Sequence, residues 1–224
     1  SHRGPNSNGI FQNEDVSFGH TRLSIIDIEN GQQPMVFEKG RLALVFNGEI
    51  YNYRELKNKL KKVIFETDSD TEVLLEYYRN FGLNKTLEDI NGMFSFAIYD
   101  NGTMFLVRDR LGIKPLFYSF RDQDLSFCSE ISPLKNLIGI ENLTINPQAV
   151  SMFFNTYYIA SPETIWNEIK SLEPGHYIRF GRGSMEIERY WSLRKEKREF
   201  DDLEHLESLI SDSVFLRMRS DVPY

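Results

Sequence analysis

The sequence predicts an α+β domain in which strands carry most of the core. Three observations point there. Residues 93–129 hold four short strand candidates in a row, rich in Phe and Tyr. Those strands read apolar on both faces, as expected of a sheet covered on both sides. Helical periodicity and capping signals flank them, in residues 53–81 and again in 132–155. Hydrophobic residues make up 41% of the 224, enough for a sizeable core.

Each element has its own warrant. Residues 41–46 are Arg41 followed by five apolar side chains, a strand candidate. Residues 53–62 set Leu56 and Leu60 one helical turn apart among lysines, so they read as a surface helix. Ser69 with Glu72 three residues on is a capping box; it opens a helix over 71–81, and Gly82 stands where a C-terminal cap belongs. Strands follow at 93–99, 103–107, 116–120 and 125–129, then short helices at 132–137 and 147–155. Residues 176–180 and 185–190 read as a hairpin around Gly181-Arg182-Gly183. Composition changes after Trp191: residues 194–198 are a charged linker, and 201–219 an amphipathic helix with Leu203, Leu206, Ile210 and Phe215 near one face. The expected division is therefore one domain over 1–196 and the start of a second over 197–224.

Composition excludes several functions. A formal charge of -7 repels phosphate backbones and argues against a nucleic-acid partner. No stretch approaches the ~18 apolar residues of a membrane span, and no secretory signal stands at the start. The single cysteine, Cys128, rules out an internal disulfide framework and suits a cytoplasmic location. It lies in an apolar strand, where free cysteines are inert. The four His and one Cys do not cluster, so no metal site is expected.

Several residues can carry chemistry. Asn47-Gly48, between Val45-Phe46 and Glu49-Ile50-Tyr51, is a strong hairpin signal. The same turn can present the Asn47 amide and the Gly48 N–H side by side, as an oxyanion hole for amide hydrolysis requires. Arg22 reads either as an exposed strand arginine in a surface ion pair or as a bidentate clamp on a substrate carboxylate. Asp70 either complements a helix dipole or, with Glu49, binds an α-ammonium group. Arg22, Asp70 and Glu49 together can grip both ends of a zwitterion. His2, in the turn His2-Arg3-Gly4-Pro5, reads as solvated and is assigned no catalysis. Residues 109–115 form a loop between two strands whose charges read as structural ion pairs.

In fixed order, the segments His2-Arg3-Gly4-Pro5-Asn6, Arg22-Leu23-Ser24-Ile25-Ile26-Asp27, Asn47-Gly48-Glu49-Ile50-Tyr51-Asn52 and Ser69-Asp70-Thr71-Glu72 resemble the glutaminase domain of asparagine synthetase, a class II glutamine amidotransferase. Residues 91–100, 108–118, 129–131, 173–176 and Ser220-Asp221-Val222-Pro223-Tyr224 extend the resemblance along nearly the whole chain. It implies a four-layer αββα N-terminal-nucleophile (Ntn) hydrolase fold with two stacked antiparallel sheets, followed by the first helix of an α/β synthetase domain. It implies glutamine as substrate, hydrolysed to glutamate and ammonia, and ammonia passed to an ATP-activated aspartate. By matching motif, Arg22 would bind the glutamine carboxylate, Asp70 and Glu49 its amine, and the Ile25-Ile26 backbone would line the pocket; Asn47 and Gly48 would form the oxyanion hole. No cofactor is implied for this domain, whereas ATP and Mg are implied for the synthetase domain, its partner within the same protein; a homodimer is also implied. The family's nucleophilic cysteine precedes the His2-Arg3-Gly4-Pro5 segment, and Ser1 adjoins the wrong motif to replace it. The family's Ser-Gly-Gly-x-Asp-Ser loop for pyrophosphate is absent as well. The expectation is a middle portion of a longer protein that, as these 224 residues, neither hydrolyses glutamine nor makes asparagine. Two alternatives stand beside it: an amidotransferase acting on another carboxylate, such as a sugar acid in surface-polysaccharide synthesis, or a catalytically dead glutamine-binding or scaffolding fragment. A phosphosugar amidotransferase is disfavoured by the helix and Ser220-Asp221-Val222-Pro223 ending.

Overall fold

The structure, a computed structural model, describes residues 2–193 and 203–223. Residues 37–48 and 93–191 form one compact unit, and the other described residues form another. The linker expected at 194–198 and the start of the helix expected at 201 lie outside the described residues.

Strands β1 (Ser7–Gln12) and β2 (Ser17–Arg22) make an antiparallel hairpin closed by Asn13, whose side chain accepts from the N–H groups of Asp15 and Val16. Strand β1 carries no strand signal in the sequence, because Ser7-Asn8-Gly9 reads as loop chemistry and only alternate residues are partly covered. After β3 (Met35–Phe37) comes β4 (Leu42–Ile50), buried from Leu42 to Phe46 on both faces. Here the structure departs from the turn expected at Asn47-Gly48: β4 runs straight through it. Glycine serves a different purpose there. A Cβ on Gly48 would overlap the Met93 carbonyl oxygen, so the missing side chain permits close backbone approach rather than a left-handed turn.

Helix α1 (Tyr53–Lys59) packs on α2 (Asp70–Asp89), and its Tyr53 and Leu56 are buried. The Ser69 hydroxyl accepts from the Glu72 N–H at 3.1 Å, the cap expected from the sequence. The reciprocal arm differs: the Glu72 carboxylate holds the Glu66 N–H, the Thr67 N–H and the Thr67 hydroxyl, pinning the preceding loop. Gly82 breaks the helical dihedrals at φ 75°, as expected of a cap, but helix resumes after it to Asp89.

The strands β5 (Gly92–Asp100), β6 (Thr103–Arg108), β7 (Phe117–Arg121) and β8 (Asp124–Cys128) fall where expected to within two residues. Helices α3 (Ile131–Ile138) and α4 (Pro147–Thr156) follow, α4 capped by Asn146 with Pro147 in its first turn. Strands β9 (Lys170–Ser171), β10 (His176–Gly181) and β11 (Ser184–Arg189) complete the sheets, and the turn between the last two has positive φ at both Arg182 and Gly183. One sheet runs β11-β10-β6-β5-β4-β3 and another β8-β7-β9; the registered pairs are antiparallel. Phe94 to Tyr99 of β5 are buried without alternation, which is how a strand covered on both faces should look. Cys128 packs against a cluster of Leu134, Leu143 and Ile169, in keeping with an inert structural thiol. Helix α5 (Leu203–Arg217) leaves Leu203, Leu206, Ile210 and Phe215 exposed.

Candidate functional site

Asp70 is the first residue of α2 and only 5% exposed. The Ile50 N–H donates to its Oδ2 at 2.9 Å, joining the end of β4 to the start of the helix. Burial pushes the Asp70 carboxyl up to about 7; the Ile50 N–H and the backbone donors of the helix start oppose the shift, and the nearby Glu49 charge adds to it. Two carboxylates are thus held close enough to repel one another, an arrangement that a cation relieves.

Arg22, at the end of β2, is also 5% exposed and is not the surface arginine of the simpler reading. Its guanidinium donates to three successive backbone carbonyls, those of Ile26 (3.0 Å), Asp27 (2.6 Å) and Ile28 (3.0 Å). Burial draws it below its usual range, and the Asp27 and Asp70 carboxylates draw it back. Gly31 is the reason it fits: a Cβ there would overlap the Arg22 Nη2. Ile25 and Ile26 lie in the loop that Arg22 caps, with Ile26 buried.

The loop carries a residue that sequence reasoning missed. Asp27 has positive φ; its Oδ1 accepts from the Asn30 N–H and its Oδ2 from the Asp68 N–H at 2.8 Å. Its carboxylate thereby connects the Ile25-Ile26 loop to the segment entering α2. An aspartate at a φ of 47° is the available signal, and it is a property of the folded backbone rather than of spacing.

Arg22, Ile25, Ile26, Glu49 and Asp70 belong to one compact unit, and Asn47 and Gly48 to the other. The Asn47 amide donates to the Ser129 hydroxyl at 3.3 Å, a partner 82 positions away that no local signal marks. Residues 109–115 behave as a structural loop, but their principal charges bind backbone groups. Asp109, 1% exposed, accepts from the N–H groups of Leu111, Ile113, Lys114 and Phe94. Arg108 beside it donates to the carbonyls of Gly112, Lys114 and Leu172. Among the described residues, no helix is long and apolar enough to cross a membrane.

Comparison with known proteins gives the family and the fold. Asparagine synthetase [glutamine-hydrolyzing] 1 of Bacillus subtilis is 38% identical over 230 residues, covering 99% of this chain and 36% of its own length. A putative asparagine synthetase [glutamine-hydrolyzing] 2 of Methanocaldococcus jannaschii is 36% identical, covering 99% of this chain and 48% of its own length. The chain thus spans less than half of each relative. Among solved structures, the glutamine phosphoribosylpyrophosphate amidotransferase of B. subtilis superposes with a TM-score of 0.57 at 22% identity, covering 78% of this chain and 35% of its own. The fold is accordingly the α+β Ntn-hydrolase fold of amidotransferases. The glutamine amidotransferase domain family matches residues 1–191, and the chain belongs to that family.

Proposed function

We propose that the chain is the glutaminase portion of an asparagine synthetase-type enzyme, which hydrolyses glutamine to glutamate and ammonia and delivers the ammonia to an ATP-activated aspartate. One observation carries the reading: the buried Asp70 carboxylate, fixed by the Ile50 N–H at 2.9 Å, feels the charge of a second carboxylate, Glu49, and in the same compact unit the buried Arg22 guanidinium feels the charge of Asp70. That is the charge pattern for a free α-amino acid. Asp70 and Glu49 take the ammonium. Arg22 takes the α-carboxylate by exchanging a neutral carbonyl acceptor for a charged one, which makes the stronger bond. The Ile25-Ile26 backbone lines the pocket, and Asn47 with Gly48 supplies the two donors for the tetrahedral oxyanion.

The nucleophile that the family resemblance implies is a cysteine thiolate, and Cys128, packed against an apolar cluster, does not take that role. Residues 1–196 form the glutaminase domain, and 197–224 begin the synthetase domain, where ATP and Mg act. The enzyme works in the cytoplasm as a homodimer. The full-length protein tests the reading: supplied with glutamine, aspartate and ATP-Mg, it forms glutamate and asparagine in equal amounts. Glutamate without asparagine would favour another acceptor, and neither product would overturn the assignment.

A further inference from the structure

The segment after α5 lies beyond residue 191, where the amidotransferase-domain match ends, yet it is bonded to the loops that the proposed function assigns to glutamine. The Asp221 N–H donates to the Ile25 carbonyl at 3.0 Å, and the Asp221 Oδ2 accepts from the Asp27 N–H at 2.8 Å. One residue therefore holds both ends of the Ile25-Ile26-Asp27 tripeptide. Two residues earlier, Arg219 forms a two-pronged ion pair with Glu55, both contacts at 2.6 Å, and donates to the Tyr51 carbonyl at 2.6 Å. The Arg217 guanidinium stacks over the Tyr51 ring at 4.7 Å. The Ser220 hydroxyl accepts from the Val222 N–H and donates to the Val222 carbonyl, fixing the turn between these anchors.

Each anchored point adjoins a proposed glutamine contact. Ile25 and Ile26 are the loop itself. Asp27 passes the restraint to Asp68, two residues before Asp70. Tyr51 follows Ile50, whose N–H holds the Asp70 carboxylate. Asp221 is exposed, so its bonds contribute little to global stability; what they fix is where the Ile25-Ile26 peptide stands relative to Arg22 and Asp70. We propose that Asp221 and Arg219 are positioning residues for glutamine, so that the segment after α5 sets the affinity of the glutaminase site. This inference rests on the glutaminase reading above.

The test is steady-state glutamine hydrolysis by the full-length protein and three variants, with melting temperatures alongside. Asp221→Ala keeps the backbone N–H bond to the Ile25 carbonyl and loses the acceptor of the Asp27 N–H; it is expected to raise KM for glutamine about five- to tenfold, the worth of that one hydrogen bond, with kcat within about twofold of wild type. Asp221→Asn, whose Oδ1 can still accept from the Asp27 N–H, returns KM to within about twofold of wild type. Arg219→Ala raises KM in the same direction and serves as an independent arm should Asp221→Ala fold poorly. An unchanged KM in Asp221→Ala and Arg219→Ala, with wild-type hydrolysis intact, overturns this proposal alone. A fall in kcat and melting temperature without a change in KM does the same, because it marks a purely structural role. Absence of hydrolysis in the wild type overturns both this proposal and the glutaminase reading.

Discussion

Asp70 is buried beside another carboxylate, so its charge depends on pH near neutrality, and that dependence should appear in function. An ammonium group binds the ionised form. With the carboxyl held at about 7, the fraction ready to bind falls about tenfold for each pH unit below that value. KM for glutamine in the full-length protein is therefore expected to rise as pH drops from 8 to 6. Asp70→Asn is expected to raise KM about 10- to 100-fold and to remove that rise, which initial rates across the range will check. Gly31 makes a second prediction. A methyl group there meets the Arg22 guanidinium, so Gly31→Ala displaces Arg22 from the Ile26, Asp27 and Ile28 carbonyls. The expected cost is about 1–3 kcal/mol in a denaturant titration, with a higher KM for glutamine. At this scale residue types are legible in the sequence, but proximity is not. Arg22, Glu49 and Asp70 are each more than twenty positions apart, and no local periodicity joins them; only the ordered motifs did. Asp27 and Gly31 escaped because their roles are set by backbone dihedrals and by the space beside Arg22.

Elements were legible wherever local chemistry and tertiary packing agreed. The Ser69 cap, the Gly82 break, the Asn146-Pro147 start of α4 and the turn at Arg182-Gly183 all follow from side chains acting on their own backbone, and all are present. Asn47-Gly48 shows where that logic fails. The dipeptide is a good turn former, but apolar residues on its N-terminal side and the close approach of Met93 hold it extended inside β4. Packing outweighed a local preference worth about 1 kcal/mol. Gly48→Ala is therefore expected to act on the sheet rather than on a turn. It forces β4 away from the Met93 carbonyl and should destabilise the protein by about 2–4 kcal/mol, measured by thermal or denaturant unfolding. Tolerance of alanine at this position would mean that β4 and β5 do not approach so closely. Glu72 is a milder case of the same kind: its spacing from Ser69 predicts a reciprocal bond to the cap, yet its carboxylate turns to Glu66 and Thr67, where three donors compete for it.

For the molecule as a whole, the two ends of α2 should push the pH dependence of stability in opposite directions. Asp89, at the last turn, accepts from the Tyr77 hydroxyl (2.5 Å) and from the Lys59 and Lys85 ammonium groups (3.2 and 2.9 Å). Hydrogen bonding, first from Tyr77, pulls its carboxyl down to about 2. A carboxyl depressed on folding adds stability that is complete above its unfolded value near 4 and is lost as pH falls through 2. Asp70 has the reverse sign, with a folded value near 7. Below pH 4 it is neutral in both states and contributes nothing. Between 4 and 7 the unfolded chain releases a proton that the folded chain keeps, so stability declines, and above 7 the penalty is constant. The expected size is about 2–4 kcal/mol for buried Asp70 and about 1 kcal/mol for Asp89, whose lysine partners are solvated. Stability should therefore climb from pH 2 to about 4 and then fall toward 8. Asp70→Asn is expected to flatten the upper limb and to melt higher than wild type at pH 8, while binding glutamine poorly. Asp89→Asn is expected to flatten the lower limb and leave the upper one in place. Melting temperatures of the three proteins from pH 2 to 8 separate the two effects. A wild type whose stability keeps rising from pH 4 to 8 would show that Asp70 ionises freely in the fold. The stability that this buried carboxylate gives up near neutral pH is, on the proposed function, the counterpart of its readiness to receive an ammonium ion, because a bound ammonium offsets the desolvation and the Glu49 repulsion that raise its carboxyl.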